Sequence, residues 1–69
     1  MTEDEITEKA EALLTVALES NFDDVIKQLE KYTTRRALAI TLKLGGFLNT
    51  YDPYKWEKLV AHINKKAAV

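Results

Sequence analysis

The apolar residues of this chain recur every three or four positions, the spacing that places side chains on one face of an α-helix. Four segments show this spacing, at about residues 3–20, 22–32, 34–49 and 53–67. The connections between them are short, so consecutive helices are expected to pack as neighbours. The pattern therefore predicts an all-α fold, a small single-domain bundle of three to four helices.

Two of the segments begin with recognisable helix-start signals. Thr2 precedes Glu5 by three residues, a capping-box spacing in which each side chain binds a free backbone N–H. Asp52 followed by Pro53 gives the fourth segment an N-cap and a first helical residue that needs no N–H partner. These signals predict where the first and fourth helices begin.

The third segment is the most apolar part of the chain. Its apolar residues include Ala37, Leu38, Ile40, Leu42, Leu44 and Leu48. Because they cover much of the helix circumference, we expect a central helix with neighbours on most sides. Gly45 and Gly46 leave two interpretations open near its end: they terminate the helix, or they let another backbone approach closely.

The junction Thr33-Thr34-Arg35-Arg36 departs from the usual preferences of a helix start. The first turn of a helix favours acids, because that end of the helix dipole is positive. Three interpretations are open. Helices two and three run on with little break, the arginines pair with carboxylates of the first helix, or they contact an anion or a partner. In the last case Arg36 and Lys43, seven residues apart, share one exposed side.

Length and composition limit the class of protein. Sixty-nine residues are too few for two hydrophobic cores, so residues 1–69 are expected to form one domain. The chain has no cysteine, and its acidic first twenty residues differ from a signal peptide, so we expect a cytoplasmic protein. No segment is apolar for long enough to span a bilayer, and no membrane partner is expected.

The formal net charge of −1 conceals an uneven distribution. Residues 1–30 hold nine acids and two bases, a net charge of −7, whereas residues 31–69 hold eight bases and two acids, a net charge of +6. One interpretation is that antiparallel helices pair their complementary flanks. The other is that the basic half binds a nucleic acid or an acidic partner.

Groups that could support catalysis are scarce. Ser20 is the only serine and His62 the only histidine, and nothing in the sequence argues that an orienting acid and an oxyanion hole accompany them. The acidic runs lack the spacing of a calcium-binding loop. We therefore expect no enzyme, no catalytic residue, no metal site and no cofactor. His62 is expected to be solvated on the polar face of the fourth helix, with a contact to phosphate or a partner as the alternative.

Aromatic residues cluster around the turn at Asp52 and Pro53. Tyr51 and Trp56 match the positions of a hydrophobic staple about that N-cap, and both are expected in or near the core. Tyr54 falls outside the apolar face and is expected to be exposed. Tyrosine is a common anchor of protein interfaces, so Tyr54 is a candidate contact residue.

Two functions follow from these features. The first is a small non-enzymatic protein-interaction module (a regulator, adaptor or inhibitor) acting through an exposed helix surface. Its partner is a protein of unidentified kind, and a second copy of the chain is among the candidates. The predicted partner-binding residues are Arg35, Arg36, Lys43, Tyr54 and His62.

The alternative function is a DNA-binding regulator of the helix-turn-helix type, with residues 34–45 as its recognition helix. Thr34, Arg35 and Arg36 would then reach the DNA groove. Three features argue against it. The preceding turn contains no glycine, Leu38 and Ala39 occupy positions where a recognition helix normally presents polar groups, and the near-neutral net charge gives weak general attraction to DNA.

Overall fold

The computed structural model describes residues 2–67, and these residues form four α-helices joined by short turns. Helix α1 spans Glu3–Leu18, α2 spans Phe22–Leu29, α3 spans Thr34–Tyr51 and α4 spans Pro53–Ala67. The all-α bundle predicted from the spacing of apolar residues is confirmed. None of the described helices is both long enough and apolar enough to cross a membrane.

One apolar core joins all four helices. Helix α3 lies mainly along α1, and α4 folds back against α3. The buried hydrophobic side chains of this core are Ala10, Leu13, Ala17, Val25, Leu29, Ile40, Leu44, Leu48 and Leu59. The Cα atoms extend over 28 × 28 × 15 Å, so the bundle is flat. In so flat a bundle a helix cannot be covered on every side.

Helix α1 begins as predicted and ends two residues before the predicted boundary. The Thr2 hydroxyl accepts the N–H of Glu5 at 3.3 Å, which satisfies one of the free donors of the first turn. At the other end Ser20 adopts a left-handed conformation with φ of 64°. Lys55 of α4 donates from Nζ to the carbonyl oxygen of Leu18 and so ties the start of α4 to the end of α1.

A distinct turn separates α2 from α3. Helix α2 ends at Leu29, three residues before the predicted boundary, and residues 30–33 form the connection. The Thr33 hydroxyl accepts the N–H of Arg36 at 3.4 Å and caps the new helix. The interpretation in which helices two and three run on is therefore wrong. Arg35 and Arg36 do lie in the first turn of α3.

The two glycines do not end α3. The helix continues to Tyr51, two residues beyond the predicted boundary, and neither glycine has a positive φ. Gly45 is buried against the ring of Trp56, and a Cβ atom there would lie 2.7 Å from Trp56 Cζ2. A close approach is thus the reason for Gly45, although the neighbour is an indole ring rather than a backbone. Gly46 is exposed and has no neighbour within 4 Å of its Cβ position.

Helix α4 begins at the predicted residues, but the predicted hydrophobic staple is wrong. Asp52 accepts the N–H of Lys55 on Oδ1 at 3.2 Å, as an N-cap does. Tyr51 is the last residue of α3, and 70% of its surface is exposed. Trp56 packs on Gly45 instead. The indole ring therefore joins α4 to the middle of α3.

Candidate protein-interaction surface

Three exposed side chains follow one another along the first half of α3. Arg35, Leu38 and Leu42 are spaced by three and four residues, which places them on one face of the helix. Leu38 is 58% exposed and Leu42 is 67% exposed. The expectation that neighbours cover α3 on most sides is wrong, because Leu38 and Leu42 stay exposed on one side of it and the bundle is flat. We call these three residues the α3 ridge.

An open apolar groove lies beside the α3 ridge. It runs between α2 and α3 and reaches Ile63 of α4, and its volume is about 490 Å³. Its apolar lining comes from Ile26, Leu29, Ala37, Leu38 and Ile63, with the ring of Tyr32. Pockets that hold ligands usually measure about 300–1,000 Å³. Leu38 belongs to both the ridge and the groove, so the two form one continuous surface.

The arginines at the start of α3 make no ion pair with any described residue. Every ion pair within residues 2–67 involves Asp23, and both Arg35 and Arg36 are exposed. The interpretation in which they pair with carboxylates of α1 is therefore wrong. Their positive charge adds to the positive end of the α3 dipole. The first turn of α3 is consequently a concentrated positive site on the surface.

The two arginines point to different sides of α3. Consecutive helical residues are about 100° apart around the axis, so Arg35 shares the face of Leu42 while Arg36 shares the face of Lys43. Lys43 is half-buried, and its ammonium nitrogen lies 5.8 Å from the centre of the Phe47 ring, a cation–π contact. On the side of α3 that carries Arg36 and Lys43, the Lys43 ammonium group is thus partly engaged by Phe47 of the same helix. Arg35 is the arginine that borders exposed apolar surface.

His62 takes part in a contact between α2 and α4 and is half-buried rather than solvated. Its Nε2 donates to Asp23 Oδ1 at 2.9 Å, and its ring centroid lies 5.9 Å from that of Phe22. Lys66 Nζ lies 2.8 Å from the same carboxylate oxygen. The hydrogen bonds from Lys66 and then from His62 lower the pKa of Asp23 from 3.8 to about 2. The side chain of His62 is therefore engaged within the molecule.

Tyr54 is exposed as the sequence predicted. It is 75% exposed and lies at the start of α4, and Tyr51, at the end of α3, is exposed as well. Tyr51 lies nine residues beyond Leu42, about 13 Å along the helix axis. The structure therefore separates Tyr54 from the α3 ridge.

Sequence reasoning missed Leu38 and Leu42 as surface residues because it assigned them to the core. The available signal was the width of the apolar face in so short a chain. A small domain buries only about 60% of the surface of its unfolded chain, so some of a helix that is apolar on most sides must remain exposed. Two leucines on the face opposite the buried Ile40 are the residues left uncovered.

Within residues 2–67, no three side chains of the metal-binding types lie close enough together to hold a metal ion. Comparison of the chain with protein-family models, curated proteins and solved structures found no significant match. Function is therefore inferred from the residues of this surface and from their geometry.

Proposed function

We propose that this protein is a non-catalytic protein-interaction module that binds its partner through the α3 ridge and the adjoining groove. The observation that carries the proposal is the exposure of Leu38 and Leu42 in a chain whose described core holds only nine buried apolar side chains. Each square ångström of apolar surface left in water forgoes about 25 cal/mol of stabilisation. Contiguous exposed apolar surface commonly marks an interaction site.

Charge supports the same surface. Arg35 stands at the positive end of the α3 dipole, where a carboxylate would stabilise the helix and an arginine does not. It has no ion pair among the described residues. An unpaired charge next to exposed leucines is typical of a binding surface, in which charge sets orientation and apolar contact supplies affinity. Regulators, adaptors and inhibitors all act through such surfaces. The cytoplasmic location stays a prediction from the sequence.

The DNA-binding alternative has one observation in its favour. Thr34, Arg35 and Arg36 are all exposed at the start of a helix that follows α2 and a four-residue turn. Against it, Arg35 shares its face with the two exposed leucines, whereas base edges in the major groove are read mainly by hydrogen bonds. The formal net charge of −1 also gives little general attraction to DNA.

Site-specific photocrosslinking tests the proposed surface. A photoreactive residue replaces Leu42 in one version of the full chain and the exposed Lys58 of α4 in another, and both are exposed to an extract of the source cells. We expect a discrete crosslinked protein from position 42 that is absent from position 58. The yield should fall when Leu38→Ala or Arg35→Glu is added. The same crosslinked products from both positions would refute the proposal.

A DNA-binding measurement separates the alternative. A fluorescent DNA duplex is titrated with the chain at about 50 mM salt, where contacts between basic residues and phosphates are strong. The interaction proposal predicts no binding. Binding that falls steeply as salt rises, and is lost in Arg35→Glu, would favour the helix-turn-helix function instead.

A further inference from the structure

We infer that the occupant of the α3 ridge and its groove is an amphipathic helix of the partner, with acidic residues along the flank that faces Arg35. This inference rests on the proposed function and adds to it the chemistry of the partner. The shape of the groove, the charge at its end and the composition of this chain each contribute to it.

The shape of the groove suits a helix. Helices α2 and α3 form its two walls, and Ile63 of α4 contributes at one side. The part of α3 from Thr34 to Leu42, which borders the groove and carries the ridge, spans nine residues, about 12 Å or two helical turns. An amphipathic helix presents apolar side chains at every third or fourth residue over the same length, and it binds by placing them in a groove of this kind.

The charge at the start of α3 selects the polar residues of that helix. Arg35 is exposed and unpaired among the described residues, and Lys31 is exposed in the turn just before α3. Together with the positive end of the helix dipole they favour carboxylates on the partner. Glu30, at the end of α2, also lines the groove and would repel a carboxylate of the partner placed beside it. The acids of the partner helix are therefore expected on the flank near Arg35 and not on both flanks.

A second copy of this chain fits the surface less well. It could offer Leu38 and Leu42 only together with another Arg35, which brings no acid. The exposed acids of α1 are Glu3, Asp4, Glu5, Glu8 and Glu11. In the part of the chain that the structure describes, the large exposed apolar residues lie on α3 and at the start of α4, not on α1. Among the residues that the structure describes, no exposed leucine therefore lies on the acidic helix α1.

Two labelled synthetic peptides test the inference by fluorescence anisotropy. Both form an amphipathic helix with leucines at every third or fourth position; one carries glutamates along a single flank and the other carries lysines at the same positions. We expect the acidic peptide to bind at least about 10-fold more tightly than the basic one near 50 mM salt. The difference should shrink as salt rises towards about 500 mM, because exposed charges are then screened.

Neighbouring substitutions in the protein provide matched controls. Arg35→Glu should lower the affinity for the acidic peptide about 10-fold and raise the affinity for the basic one. Arg36→Glu makes the same change of charge one residue away but on another side of α3, and should change either affinity much less. Leu38→Ala with Leu42→Ala should weaken both peptides by about 10- to 100-fold, since both rely on the same apolar anchors. Tyr54→Ala, at the far surface, should leave both affinities unchanged.

The outcomes distinguish this inference from the proposed function. Equal binding of the two peptides, or equal effects of Arg35→Glu and Arg36→Glu, would overturn the acidic assignment. If neither peptide binds while position 42 still crosslinks a discrete partner, the helical occupant is wrong and the proposed function stands. If the solution mass rises to that of a dimer and Leu38→Ala with Leu42→Ala abolishes the rise, the occupant is a second copy. If neither peptide binds and position 42 yields no discrete crosslinked partner, both the inference and the proposed function are wrong.

Discussion

Helices α1 and α3 begin with the same threonine side-chain cap and carry opposite charges after it. In each, a threonine hydroxyl accepts the N–H three residues on, from Glu5 at 3.3 Å and from Arg36 at 3.4 Å. The first turn of α1 continues with Glu3, Asp4 and Glu5, whereas that of α3 contains Arg35 and Arg36 and no acid. The residues exposed after the caps differ too. Helix α1 exposes no large apolar side chain among its described residues, and α3 exposes two leucines.

The difference shows which features of a helix start are needed for folding. Helix α3 begins at a capping threonine with no acid in its first turn, so acids after the cap are not required there and the charge of those residues is open to another purpose. Helix α1 follows the preference of the dipole and contributes to stability. Helix α3 departs from that preference at the same end where it exposes Leu38 and Leu42. A local departure from stabilising choices is expected at functional sites, and here two independent departures fall on one surface.

The largest effect that tests this comparison is the difference between the two sides of α3. Leu44 is fully buried, so Leu44→Ala should lower the free energy of unfolding by about 3 kcal/mol through lost burial and the cavity left behind. Leu42→Ala, on the exposed side, should change it by less than about 0.5 kcal/mol. Chemical denaturation of both variants measures the difference. Similar losses at the two positions would mean that Leu42 is structural.

The adjacent glycines of α3 should respond to alanine with opposite signs. Gly46→Ala meets no neighbour and should raise the free energy of unfolding by about 0.5–1 kcal/mol, the gain in helix propensity. Gly45→Ala places a methyl group 2.7 Å from Trp56 Cζ2, so the ring must move and stability should fall by about 1 kcal/mol. Thermal unfolding of the pair provides the test. An increase at both positions would show that Trp56 does not need the space at Gly45.

Giving α3 the charges of α1 should stabilise it. Arg35→Glu and Arg36→Glu each replace a base by an acid at the positive end of the dipole, and Arg36→Glu also completes a capping box with Thr33. We expect a gain of about 0.3–1 kcal/mol each. The reverse change in α1, Glu5→Arg, should cost a similar amount. Should either arginine variant lower the melting temperature, that arginine would have a structural role.

The smallest effect concerns the carboxylate that joins α2 to α4. The pKa of Asp23 is about 2 in the folded protein and 3.8 as the ordinary value, so its contribution is present above pH 3.8 and is lost as pH falls towards about 2. Asp23→Asn should therefore lower the melting temperature slightly at neutral pH and make no difference near pH 2. The contact is exposed, so the difference in melting temperature between Asp23→Asn and the unchanged protein should shrink as salt is added. A difference that persists at pH 2 would assign another role to Asp23.

Periodicity and capping signals predicted the fold but not how far each helix extends. The four helices, the start of α1 at Thr2 and the start of α4 at Asp52 all followed from local sequence, because those signals act within one turn. The end of α1 coincides with a left-handed Ser20, and the glycine at position 45 of α3 is explained by the Trp56 ring that packs on it from another helix. The contact between Gly45 and Trp56 joins two helices, and no local sequence pattern predicts it.

The candidate surface was predicted only in part. The unusual charge of Arg35 was visible in the sequence, because the preference of a helix start for acids is a local rule. That Leu38 and Leu42 remain uncovered depends on how the four helices pack, which the apolar pattern of α3 alone cannot determine. The same limit applies to His62, whose partner Asp23 is 39 residues away in the chain.

The most direct test of the central claim joins stability and binding in one variant. Arg35→Glu is introduced into the chain that carries the photocrosslinker at position 42, and its melting temperature and its crosslinking yield in the cell extract are measured together. We predict a melting temperature higher by about 1–8 °C and a yield reduced several-fold. An unchanged yield, or a fall in both quantities, would contradict the claim that α3 carries Arg35 for binding rather than for folding.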